Sequence, residues 1–246
     1  MKKIKLYFIL LPIMVILILI IFNFNGLLIQ RILYSASSQQ NTELLQEVEL
    51  PTPRYKGKFS VEEAIFQRRS RRKYKKEAIT LKEISQILWA AAGSTVDVVT
   101  GATRTVPSAG ACYPIETYLI VGKVKELATG IYHYNWQKHS LTLIVKGDVR
   151  EELAKAALGQ KMIKEAPVSL VFTIFYPRTT RRYGERGVRY AHIDTGCVIQ
   201  NVYLQAEALN LGTVCIGAFF DEKVKNILGI KDEQPLCIMP LGKIKR

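Results

Sequence analysis

Val168–Phe175 reads Val-Ser-Leu-Val-Phe-Thr-Ile-Phe, a near-continuous apolar run. Such a run suits a strand buried on both faces, which needs a sheet with cover on either side. The flanking patterns supply both the sheet and the cover. Pro114 to Val121 reads as another strand, and Ile131–Tyr134 and Leu141–Val145 form a hairpin around Asn135-Trp136-Gln137-Lys138. Ser60-Val61-Glu62-Glu63 and Thr80-Leu81-Lys82-Glu83 are capping boxes; the first opens a helix through Phe66, the second one ending at Gly93. Asp148 is placed to cap a helix through Leu158. A longer helical pattern covers roughly Arg189 to Leu209, striped by Ala191, Val198, Val202, Ala206 and Leu209 and closed by Asn210 and Gly212. Thr213–Gly217 and Leu236–Leu241 read as short strands with a helix, Glu222–Leu228, between them. Helices and strands that mix without regular alternation predict an α+β domain with one mixed sheet wrapped by helices.

Ahead of this domain, Ile4 to Phe22 is apolar except for Lys5 and Pro12. At ~1.5 Å per residue it reaches roughly 28 Å, the thickness of a bilayer core. Lys2, Lys3 and Lys5 precede it, and Arg31 is the only positive charge soon after. The expectation is a single-pass N-terminal transmembrane helix with the N-terminus cytoplasmic and the globular part extracytoplasmic. A cleaved signal peptide, ending near Ser35-Ala36-Ser37, is the rival. Residues 1–34 are thus expected as a membrane anchor, 35–58 as a polar, proline-bearing linker, and 59–246 as the globular domain.

The chain carries 35 Lys+Arg against 21 Asp+Glu, a formal charge of +14, which asks for an anionic partner. No glycine pattern of a dinucleotide-binding or P-loop kind is present, nor a Gly-x-Ser-x-Gly elbow. Cys112, Cys197, Cys215 and Cys237 include no close pair in sequence, and His133, His139 and His192 show no ligand spacing, so no metal site is expected. The densest signal is Arg68-Arg69-Ser70-Arg71-Arg72-Lys73. Guanidinium forks around a hydroxyl suit a phosphate group, although a basic run alone is more often a solvated or nucleic-acid-facing patch. A second candidate is Pro107-Ser108-Ala109-Gly110-Ala111-Cys112-Tyr113-Pro114, whose small residues leave backbone N–H groups free to a flat ligand. Taken alone, it is an ordinary rigid turn.

In order along the chain, these two segments, Ile193-Asp194-Thr195-Gly196 through Gln200-Asn201 to Leu211-Gly212-Thr213, and Pro240-Leu241-Gly242-Lys243 resemble the nitroreductase superfamily. The likeness is to its branch of SagB-type and ThcOx dehydrogenases, and it spans the whole globular part. The resemblance implies a nitroreductase-like fold, usually an intertwined homodimer, and an FMN cofactor. By that resemblance Arg68, Arg69, Ser70 and Arg72 hold the FMN phosphate and ribityl chain, with Lys243 nearby. Pro107, Ser108, Ala109 and Gly110 border the ring, often across a dimer interface, and Ile216, Gly217 and Ala218 lie along it. The implied chemistry is hydride transfer through the flavin between NAD(P)H or another donor and an organic acceptor such as a nitro compound or quinone.

Azole-forming members of the branch use a Lys-Tyr pair ahead of the long helix. Tyr183 matches the tyrosine as a candidate catalytic residue, but Arg182 stands where lysine is expected. Arginine does not deprotonate at working pH, so azoline oxidation is the alternative and flavin reductase chemistry the main expectation. A non-catalytic basic module docking on membranes is the bland reading. By that resemblance an anionic cofactor takes up part of the positive charge without nucleic acid, and some basic surface is left over.

Overall fold

The computed structural model describes residues 46–95 and 103–245. Both capping boxes form as the sequence predicts. Ser60 Oγ accepts the Glu63 N–H (3.1 Å) and Glu63 accepts the Ser60 N–H (2.9 Å), opening α1 (Val61–Gln67). Thr80 and Glu83 repeat the exchange at 3.2 and 3.0 Å, opening α2 (Leu81–Ala92), which Gly93 ends. Helix α3 (Arg150–Ala156) is shorter than expected, and Val149 rather than Asp148 is its cap. The Asp148 carboxylate takes the Arg150 N–H and grips the Arg150 guanidinium at 2.9 and 2.6 Å. Two helices have no forewarning in the periodicity: α4 (Lys161–Glu165) and α5 (Pro177–Tyr183). Pro177 occupies the first turn of α5, where its missing N–H costs nothing. Gly184, at φ +57, separates α5 from the long α6 (Arg186–Ala208), which begins ahead of the expected Arg189. Helix α7 spans Asp221–Leu228.

Seven strands form one sheet: β1 (Glu47–Glu49), β2 (Ile115–Val121), β3 (Gly130–Asn135), β4 (Ser140–Lys146), β5 (Val168–Ile174), β6 (Leu211–Thr213) and β7 (Gln234–Lys243). Their spatial order is β1-β4-β3-β2-β5-β7-β6, and every pairing is antiparallel. Parallel pairing is confined to a separate two-stranded piece, Ile79–Thr80 beside Val124–Lys125. The second kind of pairing therefore sits outside the large sheet. Strand β1 falls inside the stretch expected as a linker, and Leu50 just after it is buried. The expected Thr213–Gly217 strand is displaced to β6, leaving Ile216 as a lone bridge to Ile238 with two 2.9 Å hydrogen bonds.

The apolar run that opened the sequence reading is β5, and all seven of its residues are buried. Alternation divides them between two cores. Leu170, Phe172 and Ile174 pack with Leu88 of α2 and Val198 and Val202 of α6 on one face. Val171, with Ile120 and Ile238, packs on the other against Leu153 of α3, Ile163 of α4 and Val224 of α7. The result is an α+β layer structure whose sheet is covered on both sides.

Among the described residues, no helix is long and apolar enough to cross a membrane. That finding corrects the expected single-pass membrane localisation with an extracytoplasmic domain. The longest described helix, α6, carries Arg186, Arg189, Asp194 and Glu207 and uses one apolar stripe to pack on the sheet. The expected transmembrane segment itself, within 1–34, lies outside the described residues.

His139, at φ +50, stitches the edge of the sheet together. Its Nδ1 lies 2.8 Å from the Tyr134 hydroxyl, and its Nε2 lies 2.8 Å from Ser85 Oγ and 3.3 Å from the Pro51 carbonyl oxygen. Burial pushes its pKa below the ordinary histidine value. The unfolded chain therefore takes up this proton at higher pH than the folded one, so the contribution is present above about 6.5 and lost as pH falls toward the folded value. Melting curves from pH 7 to 5 should show a fall in Tm that is smaller in His139→Gln; equal slopes would refute the assignment.

Candidate functional site

Helix α1 stops at Arg68, which leaves the helical region (φ −53, ψ 124). The Arg69 backbone and the Arg71 side chain meet Glu207 of α6. The Arg69 N–H donates to Glu207 Oε1 (3.2 Å), and the Arg71 guanidinium grips both carboxylate oxygens at 3.1 and 3.2 Å. The Arg69 guanidinium folds back on the Phe66 and Arg68 carbonyls. Among the described residues, Arg68, Ser70 and Arg72 meet no such acid. Arg68 lies over the Tyr203 ring (5.3 Å), and Ser70 Oγ is 3.3 Å from the Tyr203 hydroxyl. Arg72 is exposed and makes no hydrogen bond or ion pair with any described residue.

Tyr203 connects this segment to the one after β6. Its hydroxyl accepts the Cys215 N–H at 2.7 Å. Ile216 beyond it is buried, whereas Gly217 and Ala218 are exposed. A Cβ at Gly217 would meet nothing within 4 Å, so open space lies in front of this backbone. The Ala218 carbonyl accepts from Gln160 Nε2 (3.1 Å). Lys243, at the end of β7, is closely paired with Glu83. Burial works to raise the Glu83 pKa, but the hydrogen bond from Lys243 and the donors at Thr80 hold it below the usual carboxylate range.

The Pro107–Gly110 loop is anchored by Asp194, a 5 %-exposed residue of α6. Ser108 Oγ donates to Asp194 Oδ2 (2.6 Å) and Ala109 N–H to Oδ1 (3.4 Å), while Ser108 Oγ accepts the Tyr113 N–H (2.8 Å). Burial pushes the Asp194 carboxyl up, against the pull of these two donors. Pro107 and Gly110 are exposed. Gly110 has φ +58, and a methyl there would sit 2.3 Å from the Tyr183 hydroxyl, so only glycine fits both the backbone and the space. Helix α5 is held over this loop. Arg182 donates to the Gly110 carbonyl (3.0 Å), Arg178 donates to the Tyr113 carbonyl (2.9 Å) and pairs closely with Glu116, and Tyr183 meets Tyr190 edge-on. Tyr183 is thus brought to the loop.

Two donor groups result, one around Tyr203 and one around Asp194. Nine residues of α6 separate these anchors, about 13 Å along the helix axis. Sequence reasoning missed Tyr203 and Glu207, and it quoted Asp194 only within a motif. Tyr203 lies one position off the apolar stripe, and Glu207 follows it by one helical turn; a tyrosine and an acid at that spacing are the only local signal. The residues present do fit a phosphate-bearing, flat ligand: two guanidinium groups without a carboxylate partner among the described residues, a hydroxyl between them in sequence, and glycine backbone facing open space. Among the described residues, no group of three or more His, Cys, Asp or Glu is placed to hold a metal ion.

Comparison with known proteins bears on the fold and the family. The nitroreductase family model matches residues 65–243. A Methanocaldococcus jannaschii relative that carries the name of a nitroreductase is 45% identical over 197 residues, 80% of this chain and 96% of its own. The trifolitoxin operon protein TfxC of Rhizobium leguminosarum is 26% identical, covering 73% of this chain and 54% of its own. The microcin B17-processing protein McbC of Escherichia coli is 25% identical, covering 57% and 54%. The chain spans about half the length of these last two relatives. Among solved structures, a protein from Anabaena variabilis named as a nitroreductase superposes with a TM-score of 0.72 at 30% identity, over 83% of this chain and 43% of that one. Another so named, from Ralstonia eutropha, gives 0.70 at 26% identity, over 81% and 90%.

Proposed function

Because the chain belongs to the nitroreductase family, whose members are oxidoreductases, we propose that it is an FMN-dependent oxidoreductase. It would pass hydride between NAD(P)H or another donor and an organic acceptor such as a nitro compound or quinone. The observation that carries this reading is that Arg68 and Ser70 gather at Tyr203 and Arg72 pairs with no described acid, while Glu207 neutralises Arg71. Bound FMN would supply hydride exchange at its ring. Arg68 and Arg72 would hold the phosphate by charge-assisted hydrogen bonds, and Ser70 would add its hydroxyl. Arg69 and Lys243, engaged with backbone carbonyls and with Glu83, would contribute positive potential rather than direct contacts. Gly217 and Ala218 would offer backbone to the ring without a side chain in the way. The Ser108–Gly110 loop would border the ring from a second copy of the chain, which accords with the separation of the two donor groups along α6. Helix α1, which exposes Val61, Ile65 and Phe66, suits such a homodimer. Tyr183, hydroxyl toward Gly110, would hold or deliver a proton at the substrate side.

A peptide-processing dehydrogenase role, in line with the microcin B17 processing named for one relative, is the second reading. The approach of Tyr183 to the loop favours it, and Arg182, whose guanidinium holds the Gly110 carbonyl and takes up no proton, weighs against it. One preparation tests both. The purified full chain should be yellow and show a flavin band that NAD(P)H or dithionite bleaches. A colourless protein that takes up no added FMN would overturn the proposal. A flavin band that an azoline peptide bleaches, and NAD(P)H does not, would select the second reading.

A further inference from the structure

Cys215 and Cys237 are far apart in sequence, yet their sulfur atoms lie 3.2 Å from one another. We propose that this pair is an oxidation site, a dithiol that peroxide closes to an intramolecular disulfide. The backbone holds the sulfurs together. Ile216 and Ile238, next to each cysteine, exchange two 2.9 Å hydrogen bonds, so the two segments cannot drift apart. A disulfide needs the sulfurs at about 2.05 Å, roughly 1 Å closer than they stand. Side-chain rotation and a small backbone shift cover that distance. Among the described residues no other pair of cysteines makes a sulfur–sulfur hydrogen bond; Cys112 Sγ instead faces the Gly110 carbonyl at 3.8 Å.

The two positions are unequal, as an attacking and a resolving thiol must be. Cys215 is half-buried, while Cys237 is 2 % exposed within β7. The hydrogen bond it shares with Cys237 holds the Cys215 thiol below the usual range against its burial, and the same contact, with burial, raises Cys237. Cys215 is therefore the nucleophile. Its thiolate attacks hydrogen peroxide; the O–O bond breaks, an S–O bond forms, and the departing hydroxide takes the thiol's proton as water. The resulting Cys215 sulfenic acid is attacked by Cys237. The S–O bond breaks, the S–S bond forms, and a second water carries off the Cys237 proton. In all, two thiols and one peroxide give one disulfide and two waters. Because the Cys215 N–H donates to the Tyr203 hydroxyl, which also faces Ser70, the closure bears on the Arg68–Arg72 segment. The pairing itself does not depend on flavin being bound.

The experiment is stoichiometric hydrogen peroxide on the purified full chain, read by intact mass, by thiol titration in denaturant and by peptide mapping without reductant. The expected result is loss of two hydrogens (~2 Da) and a fall from four titratable thiols to two, reversed by dithiothreitol. The map should join the peptide holding Cys215 to the one holding Cys237. Cys112→Ser and Cys197→Ser should keep the linkage, and Cys237→Ser should stop the reaction at a single oxidised sulfur. Should Cys237→Ser fold poorly, the wild-type peptide map decides alone. Retention of four thiols, or a linkage through Cys112 or Cys197, overturns the proposal.

Discussion

Replacing Arg68 and Arg72 together by alanine should strip the chain of FMN. Each charge-assisted phosphate contact contributes about 1.5–3 kcal/mol, so losing both weakens binding by roughly two to four decades. Both residues lie where α1 has ended, and neither pairs with a carboxylate among the described residues, so the fold should survive their loss, with only the Arg68 contact to the Tyr203 ring given up. Circular dichroism of the double variant should match that of the parent while FMN fluorescence titration reports the loss. Arg69→Ala is the control, because that guanidinium serves the Phe66 and Arg68 carbonyls; its effect on FMN should be under tenfold. A double variant that purifies with a full complement of flavin would show that the phosphate sits elsewhere.

The second large effect is expected at Glu207. Its side chain is 5 % exposed and accepts three hydrogen bonds, two from the Arg71 guanidinium and one from the Arg69 N–H. Breaking a buried ion pair from one side strands the other charge, at a cost of 3–5 kcal/mol in fully buried cases; the Arg71 side chain is 30 % exposed, so about 2–3 kcal/mol is expected for Glu207→Ala. The midpoint of urea unfolding should drop accordingly, and FMN affinity should fall with it, since Glu207 holds the Arg69 N–H and the Arg71 guanidinium and so fixes the backbone that carries Arg68, Ser70 and Arg72. Adding Arg71→Ala to Glu207→Ala should recover part of the stability, because the stranded charge is then gone. An alanine variant as stable as the parent would mean that the pair is a solvated contact with no positioning role.

What could be read beforehand follows from the range of each force. The capping boxes at Ser60 and Thr80 are exchanges between residues three apart, and both are observed as read. β5 was legible because burial on both faces writes an unbroken apolar run. α5 was not, since Arg178, Arg181 and Arg182 leave it almost no apolar face; it is held by hydrogen bonds to Tyr113, Glu116 and Gly110, far away in the chain. The Arg68–Arg72 and Ser108–Gly110 segments were visible as candidates, but the roles within each were not.

By itself, the sequence determined the capped helices, the buried strand β5, the α+β class and the segments rich in phosphate-type donors, because caps, periodicity and composition act over a few residues. Only the tertiary structure decided which arginines are available. Arg71 and Arg68 look alike in the sequence, and the acid that separates them is 136 residues from Arg71. The same holds for Cys215 and Cys237, which become neighbours only because two strand segments meet at Ile216 and Ile238. Charge and nucleophilicity are set by what lies within a few ångströms, and in a sheet of this topology those neighbours come from distant parts of the chain.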